Sequence, residues 1–216
     1  GCMQKPFSFV QMADTQIGMI EGGDDGVPFD AEVAILERVT AGINALMPQP
    51  AFVVVCGDLT NLPFHGDQIA AYKRLMGRID TAIPYHNVSG NHDFNGNPTE
   101  ESIARYSDIF GPDRYSFDHN DWHFVTLNSS LMKFPEDAPD EAKAQRSWAE
   151  SDLIGALGMQ GTVVFMHHPF FDDTIDEEDG YHSITRAYRR EWLDLFAANN
   201  VKEVFSGHPH TNIPEH

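Results

Sequence analysis

The chain has 216 residues, 41% of them hydrophobic, and a formal net charge of −19. That length suffices for one domain with a sizeable core, and no apolar run approaches the ~18 residues of a membrane span. Such acidity argues against a nucleic-acid backbone as main partner, because phosphate binding there takes clustered Lys and Arg; small phosphate esters stay open, since bound cations reverse the field locally.

Taken in order, the elements alternate. A strand over Phe7–Met12 leads into a loop of glycine and aspartate, Gly22-Gly23-Asp24-Asp25-Gly26, and Asp30 is placed to cap a helix running to about Leu46. Leu36, Val39, Ile43 and Leu46 recur at steps of three and four, which predicts one buried stripe. Phe52–Cys56, bounded by Pro50 and Gly57, is short and continuously apolar, as suits a strand buried on both faces. Ile69, Tyr72, Leu75 or Met76, and Ile79 mark a second helix, and Tyr85–Val88 the next strand. Tyr115–His119 and Trp122–Asn128 alternate on either side of Asn120-Asp121, a two-residue turn that predicts an antiparallel hairpin. Asp140–Leu157 reads as a polar-faced helix with Trp148, Leu153 and Leu157 available for packing. Thr162–Met166 follows as a strand, then a helix holding Trp192, Leu193 and Phe196 before Val204. Parallel βαβ units with a hairpin predict an α/β fold: two mixed sheets packed face to face, flanked by helices, with 1–216 as a single domain. Any strand pair the fold needs after the six residues that follow His210 lies outside this chain.

Five strand-like runs stop at residues that bind metals. Phe7–Met12 leads to Asp14-Thr15-Gln16, Phe52–Cys56 to Gly57-Asp58, and Tyr85–Val88 to Gly90-Asn91-His92-Asp93. Thr162–Met166 leads to His167-His168, and Val204–Phe205 to Gly207-His208-Pro209-His210. Ligands of open α/β sheets gather beyond the carboxyl ends of the strands, so the five stops point at one shared site. A metal pair needs a carboxylate able to bridge it, with imidazoles and oxygens to complete each shell. Asp14 and Asp58 supply carboxylates, Asn91 a neutral carbonyl oxygen, and His167, His208 and His210 imidazoles. His208 and His210, two apart in an extended segment, would share a face and aim at one small cavity. Each residue also has an ordinary reading alone: Asp14 and Asp58 as turn caps, Asn91 as a turn former, the last two histidines as surface groups.

The ordered set resembles the signature of the calcineurin-like metallophosphoesterase family: Asp-x-His, Gly-Asp, Gly-Asn-His-Asp or Glu, His, then Gly-His-x-His. It extends from Asp14 to His210. The resemblance implies the four-layer α/β/β/α sandwich of the metallo-dependent phosphatases and two divalent or trivalent metal ions. Asp14, Asp58 and His210 would hold the first ion; Asp58 would bridge to the second, which Asn91, His167 and His208 would complete. His92 would protonate the leaving alkoxide or stabilise the transition state, with Asp93 orienting its ring. The implied reaction is attack on phosphorus by a hydroxide bridging the metals, without a Ser or Cys nucleophile.

Gln16 departs from that pattern, standing where the first motif has histidine. A glutamine offers a neutral amide oxygen, poorer for zinc and more acceptable for manganese or magnesium. Manganese or iron is therefore expected, zinc or magnesium being the alternatives, with the first ion loosely held. Asp-x-Gln followed by Ile17-Gly18 resembles the branch named calcineurin-like phosphoesterase domain-containing protein, one member of which is described as a serine/threonine phosphatase. A phosphate monoester, small molecule or phosphoprotein, is thus the expected substrate. A phosphodiester is the alternative within enzymes, and a metal-binding scaffold without turnover the alternative outside them. Purple acid phosphatases, which share this fold, carry a tyrosinate ligand where this chain has Asn61, so a tyrosinate-ligated ferric centre is not expected. Asn61 and His168 are candidates for facing substrate, His168 having packing as its other reading.

Phe170–Tyr181 contains six acidic residues, and reads either as a solvated acidic loop or as a lid beside the metals. Arg186, Arg189 and Arg190 are the nearest cations, only some of which can face the cleft if they lie on a helix. His65 is near enough to the Asp58 loop to line the cleft; His86, His119, His123, His182 and His216 match no motif and read as surface or structural. Cys56 reads as a small buried residue, and with Cys2 makes no disulfide framework. A Gly1-Cys2 start matches the remnant of a processed lipoprotein, though no apolar signal segment adjoins it. A cytoplasmic location is the default reading, an exported or periplasmic lipoprotein the alternative.

Overall fold

The computed structural model describes residues 5–20, 29–94 and 97–210; Cys2, the Gly22–Gly26 loop and His216 lie outside them. Among these residues, β1 (Val10–Met12), β2 (Val53–Cys56) and β3 (Tyr85–Val88) form the first sheet, which is parallel throughout rather than mixed. The second sheet is mixed: β4 (Tyr115–His119) pairs antiparallel with β5 (Trp122–Thr126), then β6 (Gly161–Phe165) and β7 (Val201–Phe205) follow in parallel. Helices α1 (Asp30–Ala45), α2 (Gly66–Met76) and α3 (Glu100–Phe110) pack on the first sheet. The short α4 (Ser129–Lys133) precedes α5 (Pro139–Gly155), which with α6 (Arg186–Ala198) covers the second. None of these helices is long and apolar enough to cross a membrane.

Alternation along β2 explains the layering. Phe52, Val54 and Cys56 join Phe124, Val163 and Phe165 in the core between the sheets, while Val53 and Val55 join Leu36, Ile43, Tyr72 and Leu75 beneath the helices. A strand buried on both faces has no polar side, hence its unbroken apolar run. At the hairpin, Asn120 and Asp121 adopt φ of 50° and 59°, the left-handed pair that a type I′ turn requires.

The α1 stripe differs from its expected membership. Leu36 and Ile43 are buried, together with Glu32 and Thr40, whereas Val39 and Leu46 are exposed. At 100° per residue, Val39 sits about 60° round the helix from Leu36, at the edge of the buried face, and Leu46 lies past the helix end with extended backbone. Leu157 likewise falls beyond α5 and is exposed.

Candidate metal centre

Parallel β1, β2 and β3 deliver Asp14, Asp58 and Asn91 to one edge of the first sheet, where β6 and β7 of the facing sheet deliver His167 and the 207–210 segment. Backbone bonds tie the loops together: Asp14 N–H donates to Gly57 O (3.1 Å), Gln16 N–H to Asp58 O (2.8 Å), and Gly207 N–H to His167 O (2.9 Å). Nine non-glycine residues have positive φ among those described, and five of them are candidate ligands: Asp14, Gln16, Asp58, His208 and His210. Such backbone persists only where surroundings over-determine it, and it clusters at functional sites. Two glycines permit the close approach. A Cβ on Gly57 (φ +83°) would lie 2.5 Å from His167 Nδ1, and one on Gly90 would lie 2.3 Å from the Asp58 backbone nitrogen.

Three donor sets converge at the centre. His167 Nε2 stands 3.1 Å from Asn91 Oδ1 and 3.3 Å from Asp58 Oδ2. One donor atom each from Asp58, His167 and His208 lies within 4.8 Å of the others. His167 Nδ1 is 2.8 Å from the Cys56 carbonyl; donating there fixes the tautomer and leaves the Nε2 lone pair for a cation. His208 Nε2 lies 3.3 Å from the Tyr181 carbonyl, so a proton donated there leaves Nδ1 as the free donor. The other Asp58 oxygen, Oδ1, accepts the His92 backbone N–H at 2.9 Å.

The second group adjoins it. His210 Nε2 is 3.3 Å from Asp14 Oδ1, His208 N–H donates to Asp14 Oδ2 at 3.0 Å, and Gln16 Nε2 donates to Asp58 Oδ2 at 3.3 Å. The 208–210 segment is not extended, as φ of 78° at His208 and 54° at His210 twist the rings apart. His208 is buried toward His167, whereas His210 is exposed beside Asp14; both reach the site, though not by sharing a face. A cavity of about 440 Å³ opens on this side, between Asp14, Gln16, His210 and the apolar Met19, Ile35 and Val39. Val39 is thus exposed as a wall of that cavity.

Electrostatics favour a cation. Burial raises the Asp14 carboxyl, and burial would raise Asp58 too, but the adjoining His167 holds it below its ordinary value. Burial alone would lower His167; the Asp58 and Asp14 carboxylates instead push it up to about 9. Burial and the His167 charge bring His208 down to about 4. One imidazole therefore retains a proton between two carboxylates, where a divalent ion would replace it. Gln16 Oε1 is a buried acceptor without a hydrogen-bond partner, and Asp14 Oδ1 makes no hydrogen bond although the His210 ring stands beside it. Orphaned oxygens, carboxylates and imidazoles together make a donor set that fits a metal.

His92 is oriented differently from expectation. Its Nδ1 lies 2.8 Å from the Asn61 carbonyl, so Asn61 contributes through its backbone. Asp93 does not meet the ring, because its Oδ1 accepts from Leu59 N–H (3.0 Å) and its Oδ2 from Gly90 N–H (2.8 Å). The short 3₁₀ turn Asn91–Asp93 directs adjacent side chains apart and sends Asp93 inward. There burial and the Asp58 charge push its carboxyl up to about 8, against the pull of those amides. His168 is only 2% exposed, and burial holds it well below its usual value. Ser129 Oγ accepts N–H from His167 (3.2 Å) and His168 (2.9 Å), so its own proton goes to His168 Nδ1 at 2.9 Å. His65 accepts from Gln68 N–H and caps α2.

Ser129 and Tyr181 carry no motif. Ser129 follows the end of β5, where the rule that flagged the other stops would have found it. Tyr181 places its hydroxyl 3.4 Å from Asn91 Nδ2 and its ring centroid 4.9 Å from that of His208, with His182 also 5.5 Å from His208.

The family description of calcineurin-like phosphoesterases matches residues 7–212. The chain is a calcineurin-like phosphoesterase. It is 35% identical over 223 residues to the human protein named serine/threonine-protein phosphatase CPPED1, covering 96% of this chain and 70% of the relative. The zebrafish (Danio rerio) protein of that name is 35% identical over 222 residues, covering 96% and 71%. The fold is also that of a purple acid phosphatase from yellow lupin, with a TM-score of 0.68 at 14% identity, over 96% of this phosphoesterase but 38% of the lupin chain. This phosphoesterase is accordingly a hydrolase of phosphoester bonds and a metallophosphoesterase.

Proposed function

We propose that the chain, folded as one domain, hydrolyses a phosphate monoester at a two-metal centre. Asp14, Gln16, Asp58 and His210 would hold one ion, and Asp58, Asn91, His167 and His208 the other; manganese or iron suits an oxygen-rich set containing Gln16. Such a pair, when bound, supplies Lewis acidity and a potent nucleophile at neutral pH. The observation that carries this reading is the approach of both Asp58 Oδ2 and Asn91 Oδ1 to within 3.3 Å of His167 Nε2, beside a His92 ring whose Nδ1 is already occupied. With Nδ1–H donated to Asn61, the Nε2 end is left to hold and release the proton needed by a leaving alkoxide. The relatives named serine/threonine phosphatases support a monoester, whether small molecule or phosphoprotein. A net charge of −19 disfavours extended polyanions as substrates.

The test compares p-nitrophenyl phosphate with bis-p-nitrophenyl phosphate in the presence of manganese, for the chain and for His92→Ala. Preference for the monoester is expected. Preference for the diester would make the chain a phosphodiesterase, and bound manganese without turnover of either would make it a scaffold.

A further inference from the structure

We propose that Tyr181 is a substrate-positioning residue, its hydroxyl donating to a phosphoryl oxygen at the metal centre from a strap that Lys133 and Arg189 fasten; the substrate in question rests on the phosphoesterase reading above. The strap, Asp172–Ser183, joins β6 to α6 and holds no helix or strand. Six acidic residues would leave such a segment solvated by charge alone, yet two buried cations fasten it. Arg189 donates from Nε to Ile184 O (2.6 Å), from Nη1 to Ile175 O (3.1 Å) and Glu177 O (3.0 Å), and from Nη2 to Ser183 Oγ (3.1 Å). Lys133 Nζ donates to Gly180 O at 2.9 Å and to Ser183 O. The Glu177 carboxylate gathers the N–H groups of Asp172 (2.9 Å) and Asp173 (2.8 Å). Burying a guanidinium is costly unless its donors are satisfied, and here three of its hydrogen bonds go to one irregular segment and the fourth to the residue after it. Arg186 and Arg190 pair outward with Glu178 and Asp176, so this cationic cluster holds the strap and does not line the cleft.

The fastening brackets one residue. Gly180 and Ser183 are pinned on either side of Tyr181, which therefore stands at a fixed height over the site. Asn91 Nδ2 donates to the phenol oxygen, leaving the phenol proton for another acceptor. The other end of that amide, Oδ1, is the one facing His167, so a phosphoryl group bound there lies within the tyrosine's reach. At 66% exposure the side chain contributes little to any core, and its contact with the His208 ring would be served equally by phenylalanine. The hydroxyl is what a packing role leaves unexplained.

The test uses the full chain, Tyr181→Phe, and manganese with inorganic phosphate as probes. Manganese affinity, read by electron paramagnetic resonance titration, should stay within about twofold. The phosphate dissociation constant of the manganese-loaded protein, read by calorimetry, should rise about tenfold or more, as one hydrogen bond to a charged acceptor implies. Lys133→Met, which releases the Gly180 and Ser183 carbonyls, should reproduce that loss and add little to it in the double variant; if Lys133→Met does not fold, Tyr181→Phe decides alone. Equal phosphate binding by Tyr181→Phe and the unaltered chain overturns the proposal, as does a parallel loss of manganese, which would confine Tyr181 to holding Asn91. An unaltered chain that binds phosphate better than Tyr181→Phe but turns over no ester upholds this proposal and sinks the catalytic one. An unaltered chain that binds no phosphate overturns both.

Discussion

Replacing His92 with alanine separates proton transfer from metal binding. The side chain touches the Asn61 carbonyl through Nδ1, whereas the tie to Asp58 runs through the His92 backbone N–H, which alanine retains. The metal ligands should therefore stay in place while the proton donor is lost. General acid catalysis contributes about 10²–10⁴ in rate, or roughly 2.7–5.4 kcal/mol at ~1.36 kcal/mol per decade. That loss should depend on the leaving group. An alkyl phosphate, whose alkoxide must be protonated, should show the whole of it, and p-nitrophenyl phosphate, with its acidic phenol, only a small part. The assay is kcat/KM across esters of graded leaving-group pKa, with manganese affinity measured alongside. A uniform loss across the series, or weakened manganese binding, would refute the argument.

Gly90→Ala should cost more than tenfold in manganese affinity and about 1–3 kcal/mol of stability by thermal melting, because its Cβ would collide with the Asp58 backbone as well as its carboxylate; unchanged affinity would show the strand end yields without cost. Gln16→His should shift the metal preference toward zinc in competition titrations, and an unaltered preference would mean that Gln16 does not touch the metal. His86 stacks on Phe117 at 3.7 Å, and burial brings its pKa down to about 4. The unfolded ring takes a proton first as pH falls below ~6.5, so stability is full above that value and is lost toward pH 4, by at most ~3 kcal/mol and less for the part of the ring facing water. His86→Phe keeps the stack without the titration, and its denaturant midpoint should fall less than that of the unaltered chain between those pH values; parallel curves would contradict the buried neutral ring.

Much of this architecture was legible because its local signals agree with its tertiary ones. β2 announced two-sided burial, and Asn120-Asp121 announced the hairpin, since each is governed by near neighbours. The candidate ligands were legible as a cluster because strand ends deliver them. α3 was legible too but went unread: Thr99 caps it, accepting from Ser102 N–H at 3.1 Å, and Ile103 and Tyr106 form its buried stripe. The resemblance implied that Asp93 orients the His92 ring, whereas the turn separates their side chains and Asp93 accepts from Leu59 and Gly90 N–H instead. Tyr181 could not be read at all. Its position depends on Lys133 and Arg189, which reach it from separate helices, and no local pattern encodes that.

The parallel first sheet bears on how this centre tolerates change. His208 and Asp14 meet across 194 positions of chain, yet their separation in space is governed by the packing of the two sheets whose strands deliver them, not by the length of what joins them. Connections returning on the far side of the layers can lengthen, shorten or acquire new segments while the candidate ligand atoms keep their distances. Those returns can therefore change independently of the chemistry anchored at the strand tips.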